Sequence, residues 1–168
     1  MRPLNLLLVL FFMLFTSCAK DELQTVKLTG NYINTPVLSE GFYQVTLPDD
    51  TKVQVPKKYA VGGNDQVLGV IDETKSYLEV KSVVFKEFAF AFELTFDVTV
   101  YNAKGEYIKW SGTANSYPNN TGNSWQYVTG GSKEFKDVSG WSNTSITTNP
   151  VNGVHTLAII QGEVVYVK

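Results

Sequence analysis

This 168-residue chain has one histidine and one cysteine. His155 could serve as a general base, because its ordinary pKa lies nearest neutrality. It could equally be a strand residue facing solvent or a polar partner. No second histidine or cysteine exists to build a usual transition-metal site, and no nucleophile-elbow motif supports a Ser-His-Asp triad. Asn64-Asp65-Gln66 and Asp72-Glu73 offer oxygens but match no calcium-loop pattern. Neither a metal nor a cofactor is expected. Glu93 and Asp97 share one face of a strand, about 13 Å apart at the strand rise, too far to cooperate as paired carboxylates. If that face looked into a lumen, either Glu93 or Asp97 could act singly as a buried acid or base; otherwise it is a polar outer side. Trp110, Tyr117, Trp125, Tyr127 and Trp141 gather in sequence around a loop at 115–123. Rings grouped at one barrel mouth could stack on a sugar or cap an apolar ligand; the alternative is ordinary core and strand positions.

The elements that must hold these residues are strands. No segment after Leu28 keeps apolar residues at helical spacing. Short β-rich runs alternate with turn clusters, as in a barrel or sandwich. Residues 41–47 and 51–55 form a hairpin across Pro48-Asp49-Asp50, and Gly162 suggests a bulge or bend in the last run. The most regular stretch is FAFAFELTFDVTV, residues 88–100. Its even positions are large and apolar (Phe88, Phe90, Phe92, Leu94, Phe96, Val98, Val100), and its odd positions are small or polar. A strand over 88–101 would extend about 45 Å, so it must twist and coil, which suits closure. Closure also removes open sheet edges. The expectation is all-β: a single antiparallel β-barrel of about eight to ten strands, with the even face of the ribbon inside. So many rings in the lumen would leave little room for a large ligand and push binding towards the mouth loops near Trp110, Tyr117 and Trp125.

Composition narrows the partners. Beyond residue 17 the chain carries thirteen lysines against sixteen carboxylates and no arginine, a formal charge of −3. It lacks the planar fork that grips phosphates in two-point fashion, and its sign disfavours a phosphate backbone. Nucleic acid is not expected as a partner.

Residues 1–17 read as a secretory signal: Arg2, an apolar run from Leu4 to Phe15, then Thr16-Ser17 before Cys18. The apolar run is too short to span a bilayer. Small residues followed by a cysteine resemble a bacterial lipobox, which implies cleavage before Cys18 and its lipidation. Lys20-Asp21-Glu22 resembles the charged export signal of surface lipoproteins of the Bacteroidota. Residues 18–27 would then be a lipidated, polar tether, with the barrel domain at 28–168. The resemblance implies an outer-membrane location, at the cell surface, through the anchor at Cys18.

A second resemblance lies in the C-terminal third. Gly130, Gly131, Phe135, Gly140, Gly153 and Gly162 fall where the barrels of the allene oxide cyclase and dirigent families carry their turn glycines and phenylalanine. Lys133 stands where those families have glycine, a position where positive φ is cheap only for glycine. That match implies Gly130-Gly131 in a tight connection, a buried Phe135 and an allene oxide cyclase-like barrel. Leu28–Thr35, LTGNYINT, is similar instead to the opening strand of lipocalin-like, or calycin, barrels. Two functional readings follow. One is a non-enzymatic, surface-anchored barrel that binds a small apolar ligand, a glycan or a partner protein. The other, implied by the cyclase resemblance alone, is an isomerase or cyclase with Glu93 or His155 as base.

Overall fold

The structure, a computed structural model, describes residues 22–167. The signal at 1–17 and Cys18 lie outside the described residues. The strands are β1 (Leu23–Lys27), β2 (Gly30–Pro36), β3 (Phe42–Thr46), β4 (Lys52–Pro56), β5 (Lys58–Asp65), β6 (Gly69–Val70), β7 (Tyr77–Lys86), β8 (Ala91–Tyr101), β9 (Tyr107–Ser116), β10 (Thr121–Gly131), β11 (Ser139–Thr148) and β12 (His155–Val167). Eight of them close an antiparallel barrel in the order β2-β12-β11-β10-β9-β8-β7-β5 and back to β2. β1 extends the sheet beside the end of β12, and β6 pairs with β5. The hairpin β3–β4 stands apart as its own two-stranded sheet, as the sequence predicts.

Alternation fixes which side chains fill the barrel. Phe92, Leu94, Phe96, Val98 and Val100 of β8 all line the interior, so the even face is indeed the inner one. The ribbon is shorter than expected, however. Glu87–Phe90 form a turn, Lys86 pairs with Ala91, and β8 starts there. The far neighbour sets the limit: Phe92 pairs with Ser116, the last residue of β9. A longer β8 would have no partner beyond it. Phe88 and Phe90 are therefore outside, and Phe90 has φ 47°, a conformation uncommon for a large side chain.

The barrel's two ends differ. One carries the β5–β7, β8–β9 and β10–β11 connections, the start of β1 and the end of β12. It is plugged by Leu68, Ile71, Phe135 and Val138, which pack on Leu28, Val100, Ile108 and Val164. Asp65 holds part of this plug by accepting hydrogen bonds from the backbone N–H groups of Val67 and Leu68 at 2.7 and 2.6 Å. It also accepts from the Tyr32 hydroxyl at 2.7 Å. Phe135 is buried as expected, its ring 5.2 Å from that of Tyr166. Gly130 and Gly131 do not form the connection themselves. They end β10 after a bulge past Val128, and the chain turns through a short 3-10 helix, Lys133–Phe135. A Cβ on Gly131 would strike the Phe135 carbonyl, which is why this glycine is needed. Lys133 takes φ 50°, at a cost of about 1–2 kcal/mol for a side-chain-bearing residue.

Two further expectations shift. Leu23–Lys27, read as tether, forms β1 because its backbone finds the free edge of β12 beyond the point where β2 leaves it. The bulge in β12 falls at Ile160 rather than Gly162: Asn143 pairs with Gln161 and Thr144 with Ile159.

Candidate functional site

The end opposite the plug opens into a cavity of about 340 Å³. Its rim is built from the β7–β8, β9–β10 and β11–β12 turns and from the β3–β4 hairpin, which contributes Val53, Gln54, Val55 and Pro56. The hairpin is pinned to the barrel by Tyr43, whose hydroxyl lies 3.1 and 3.0 Å from the carbonyl oxygens of Val80 and Lys81. It stands beside the weakest seam, where β5 and β7 share only three residue pairs.

The cavity has two unlike walls. One, from β7, β8 and β9, is apolar below the rim: Leu78, Val80, Phe92, Leu94, Phe96, Val98, Trp110 and Ala114, with Asn115 and Ser116 at the end of β9. The facing wall, from β2, β5, β10, β11 and β12, carries Asn34, Tyr59, Ser124, Gln126, Thr148 and His155. Burial of these polar groups is tolerable where each finds a partner. Ser124 bonds Thr144 at 2.7 Å, and the Gln126 amide donates to Ser142 at 2.9 Å. His155 is held at both ring nitrogens: Nδ1 lies 2.8 Å from the Thr148 hydroxyl and Nε2 3.3 Å from the Tyr59 hydroxyl. The Tyr59 and His155 rings are 5.1 Å apart. Burial pulls the His155 pKa below its ordinary value and pushes the Tyr59 phenol well above its own. Both are therefore neutral near pH 7. No aspartate, glutamate, lysine or arginine lines the cavity among the described residues.

The residues singled out in the sequence do not converge. His155 and Trp110 line the cavity, Trp110 deep in the apolar wall at 3% exposure. Tyr117 opens the β9–β10 turn, where its hydroxyl accepts from Asn123 at 3.3 Å. Trp125 and Tyr127 sit on the outer wall of β10, half exposed, with rings 5.7 Å apart. Trp141, the cross-strand partner of Tyr127, lies on the same outer side and donates its indole N–H to Glu163 at 3.2 Å. Strand parity separates them: Ser124 and Gln126 point inward, so Trp125 and Tyr127 must point outward. The same rule removes Glu93 from the lumen. It lies on the outer face of β8, in an ion pair with Lys86 at 3.1 Å.

Asn34, Tyr59 and Thr148 were not legible as site residues. Tyr59 and Asn34 are 96 and 121 positions from His155, and only the closure of β2 against β12 brings Asn34 beside it. The ribbon's rings do not fill the lumen. Two of the ribbon's phenylalanines lie outside, and the facing wall uses short polar side chains, so space remains.

No protein-family model and no curated protein matches the chain. Among solved structures, that of the pterocarpan synthase dirigent protein is similar, with a TM-score of 0.43 and 12% identity, over 88% of this chain and 96% of that one.

Proposed function

We propose that this protein is a lipid-anchored, non-enzymatic barrel that takes a small, largely apolar molecule into its cavity. The observation that carries the reading is the open cavity itself, of a size suited to a small ligand, with one wall of aliphatic and aromatic side chains. The enzyme reading loses its carboxylate, since Glu93 is on the outer wall, and its histidine is occupied at both nitrogens by protein partners.

The anchor at Cys18 agrees with the topology. β1 starts at the plugged end, so a tether from Cys18 would attach that end to the membrane. The cavity mouth would then face away from the bilayer, one barrel height out, about 25–30 Å for an eleven-residue strand tilted to the barrel axis. A ligand would reach the mouth from the surroundings rather than from the anchoring leaflet.

Two measurements test this. Native mass spectrometry of the purified protein should reveal a co-purified small molecule or uptake of an added apolar one. Cell fractionation should move Cys18→Ser from the membrane to the soluble fraction. A variant that still floats with outer membranes refutes the anchor, and a protein that takes up no apolar compound refutes the binding role. A surface partner, glycan or protein, is favoured by one separate observation: Trp125 and Tyr127 form an exposed pair on the outer wall.

A further inference from the structure

The cavity's walls define the ligand more closely than its size does. At the level of the mouth, Thr148, His155 and Asn34 are successive cross-strand partners on β11, β12 and β2. All three line the cavity. Thr148, His155 and Tyr59 form a chain of hydrogen bonds. The neutral imidazole gives that chain two proton arrangements. If Tyr59 donates to Nε2, then Nδ1–H donates to Thr148, and the threonine O–H is free. If Thr148 donates to Nδ1, then Nε2–H donates to Tyr59, and the phenol O–H is free. Either way one hydroxyl proton is left over, and it can be moved to whichever end a ligand needs.

Asn34 adds a second feature. It is 5% exposed, yet its carboxamide has no hydrogen-bond partner among the described residues, although it lines the cavity. No side-chain nitrogen or oxygen shut off from solvent among the described residues lacks a partner, so the unpaired amide atoms open onto the cavity, where they have both donor and acceptor to offer. Every other polar side chain of the inner wall named above is already paired.

We propose that Asn34, with the Tyr59–His155–Thr148 chain, is the binding point for the uncharged polar group of an otherwise apolar ligand: a hydroxyl or carbonyl, and not a carboxylate, phosphate or ammonium. The absence of any charged side chain from the lining, among the described residues, supplies the second half of the statement. A carboxylate in this cavity would meet no cation, and an ammonium no anion, so either would lose its hydration without a countercharge. A hydroxyl or carbonyl loses far less and regains hydrogen bonds from Asn34 and the free O–H. The inference rests on the cavity being the binding site.

The test uses N-phenyl-1-naphthylamine, an uncharged fluorophore that brightens in apolar surroundings, with three competitors of equal chain length at neutral pH: 1-decanol, decanoate and decylammonium. The expected result is that the fluorophore binds, decanol displaces it, and the two charged compounds do so at least ten-fold less well. Asn34→Leu should weaken decanol several-fold while leaving the fluorophore's own affinity and the melting temperature no lower. If the fluorophore does not bind, the cavity reading fails and this inference with it. If it binds but decanoate or decylammonium competes as well as decanol, the cavity stands and the charge selectivity is wrong. If Asn34→Leu weakens both probes alike or neither, Asn34 is not the binding point.

Discussion

Strands β8 and β10 are each eleven residues long and lie two places apart in one barrel, yet their polarities are opposite. β8 turns Phe92, Leu94, Phe96 and Val98 inward and Glu93, Thr95 and Asp97 outward. β10 turns Ser124 and Gln126 inward and shows Trp125 and Tyr127 to solvent. Alternation separates two faces of a strand but does not say which is inside. β8 obeys the hydrophobic rule because burying each large apolar side chain is worth roughly 1.5–3 kcal/mol. β10 can break it because its inward polar groups are bonded across to β11, Ser124 to Thr144 and Gln126 to Ser142. One wall is held by area removed from water, the other by matched hydrogen bonds.

The comparison can be broken most forcefully on the apolar wall. Phe96 is 5% exposed and packs in the main core. Phe96→Ala should cost about 3–5 kcal/mol, read as a lower midpoint in denaturant. A loss under about 1 kcal/mol would mean that this wall is not the source of stability.

On the polar wall the deciding quantity is pairing. Gln126→Leu removes the donor to the Ser142 hydroxyl, which is fully buried. The expected cost is about 1–3 kcal/mol for the stranded group. Adding Ser142→Ala to Gln126→Leu should recover most of it, because both partners are then apolar. A double-mutant cycle measures the coupling. Strictly additive losses would show that the bond contributes nothing and that β10 tolerates polar residues for another reason.

The same contrast explains what could be read from the sequence. The inner face of β8 was legible because its five apolar residues from Phe92 to Val100 alternate without a fault, and so were the barrel class and the buried Phe135. The turn at Glu87–Phe90 was not, since Phe88 and Phe90 continue the alternation and only the length of β9 cuts it off. The aromatic cluster misled for the opposite reason. Nearness in sequence to one loop suggested a shared mouth, whereas parity sends Trp110 inside and Trp125 outside. His155 was visible as a residue, but its partners were not. Thr148 lies across a hairpin, and Tyr59 and Asn34 come from the far end of the chain through closure of the ring. No local pattern encodes that closure.

The smallest expected effect sharpens the polar wall further, through pH. In the unfolded chain His155 takes up its proton near the ordinary value of 6.5, and burial lowers that value in the folded protein. Between the two, the unfolded chain binds more protons, so acid favours unfolding there. Stability is therefore full above the ordinary value, falls as pH drops through it, and levels off below the folded value. Protonation would also fix the direction of the Thr148–His155–Tyr59 chain, because both ring nitrogens would then donate to the two hydroxyl oxygens. Asp65 acts in the opposite sense and at lower pH. Burial raises its carboxyl above 3.8 despite the hydrogen bonds from Leu68, Tyr32 and Val67. Across that raised range the folded protein takes the proton more readily, so acid relieves the cost of keeping the group ionised. Melting temperatures between about pH 8 and about pH 5 should fall with acidification in the parent protein and stay flatter in His155→Gln. An equal slope in both would place the titrating group elsewhere and leave the imidazole without a part in holding the polar wall together.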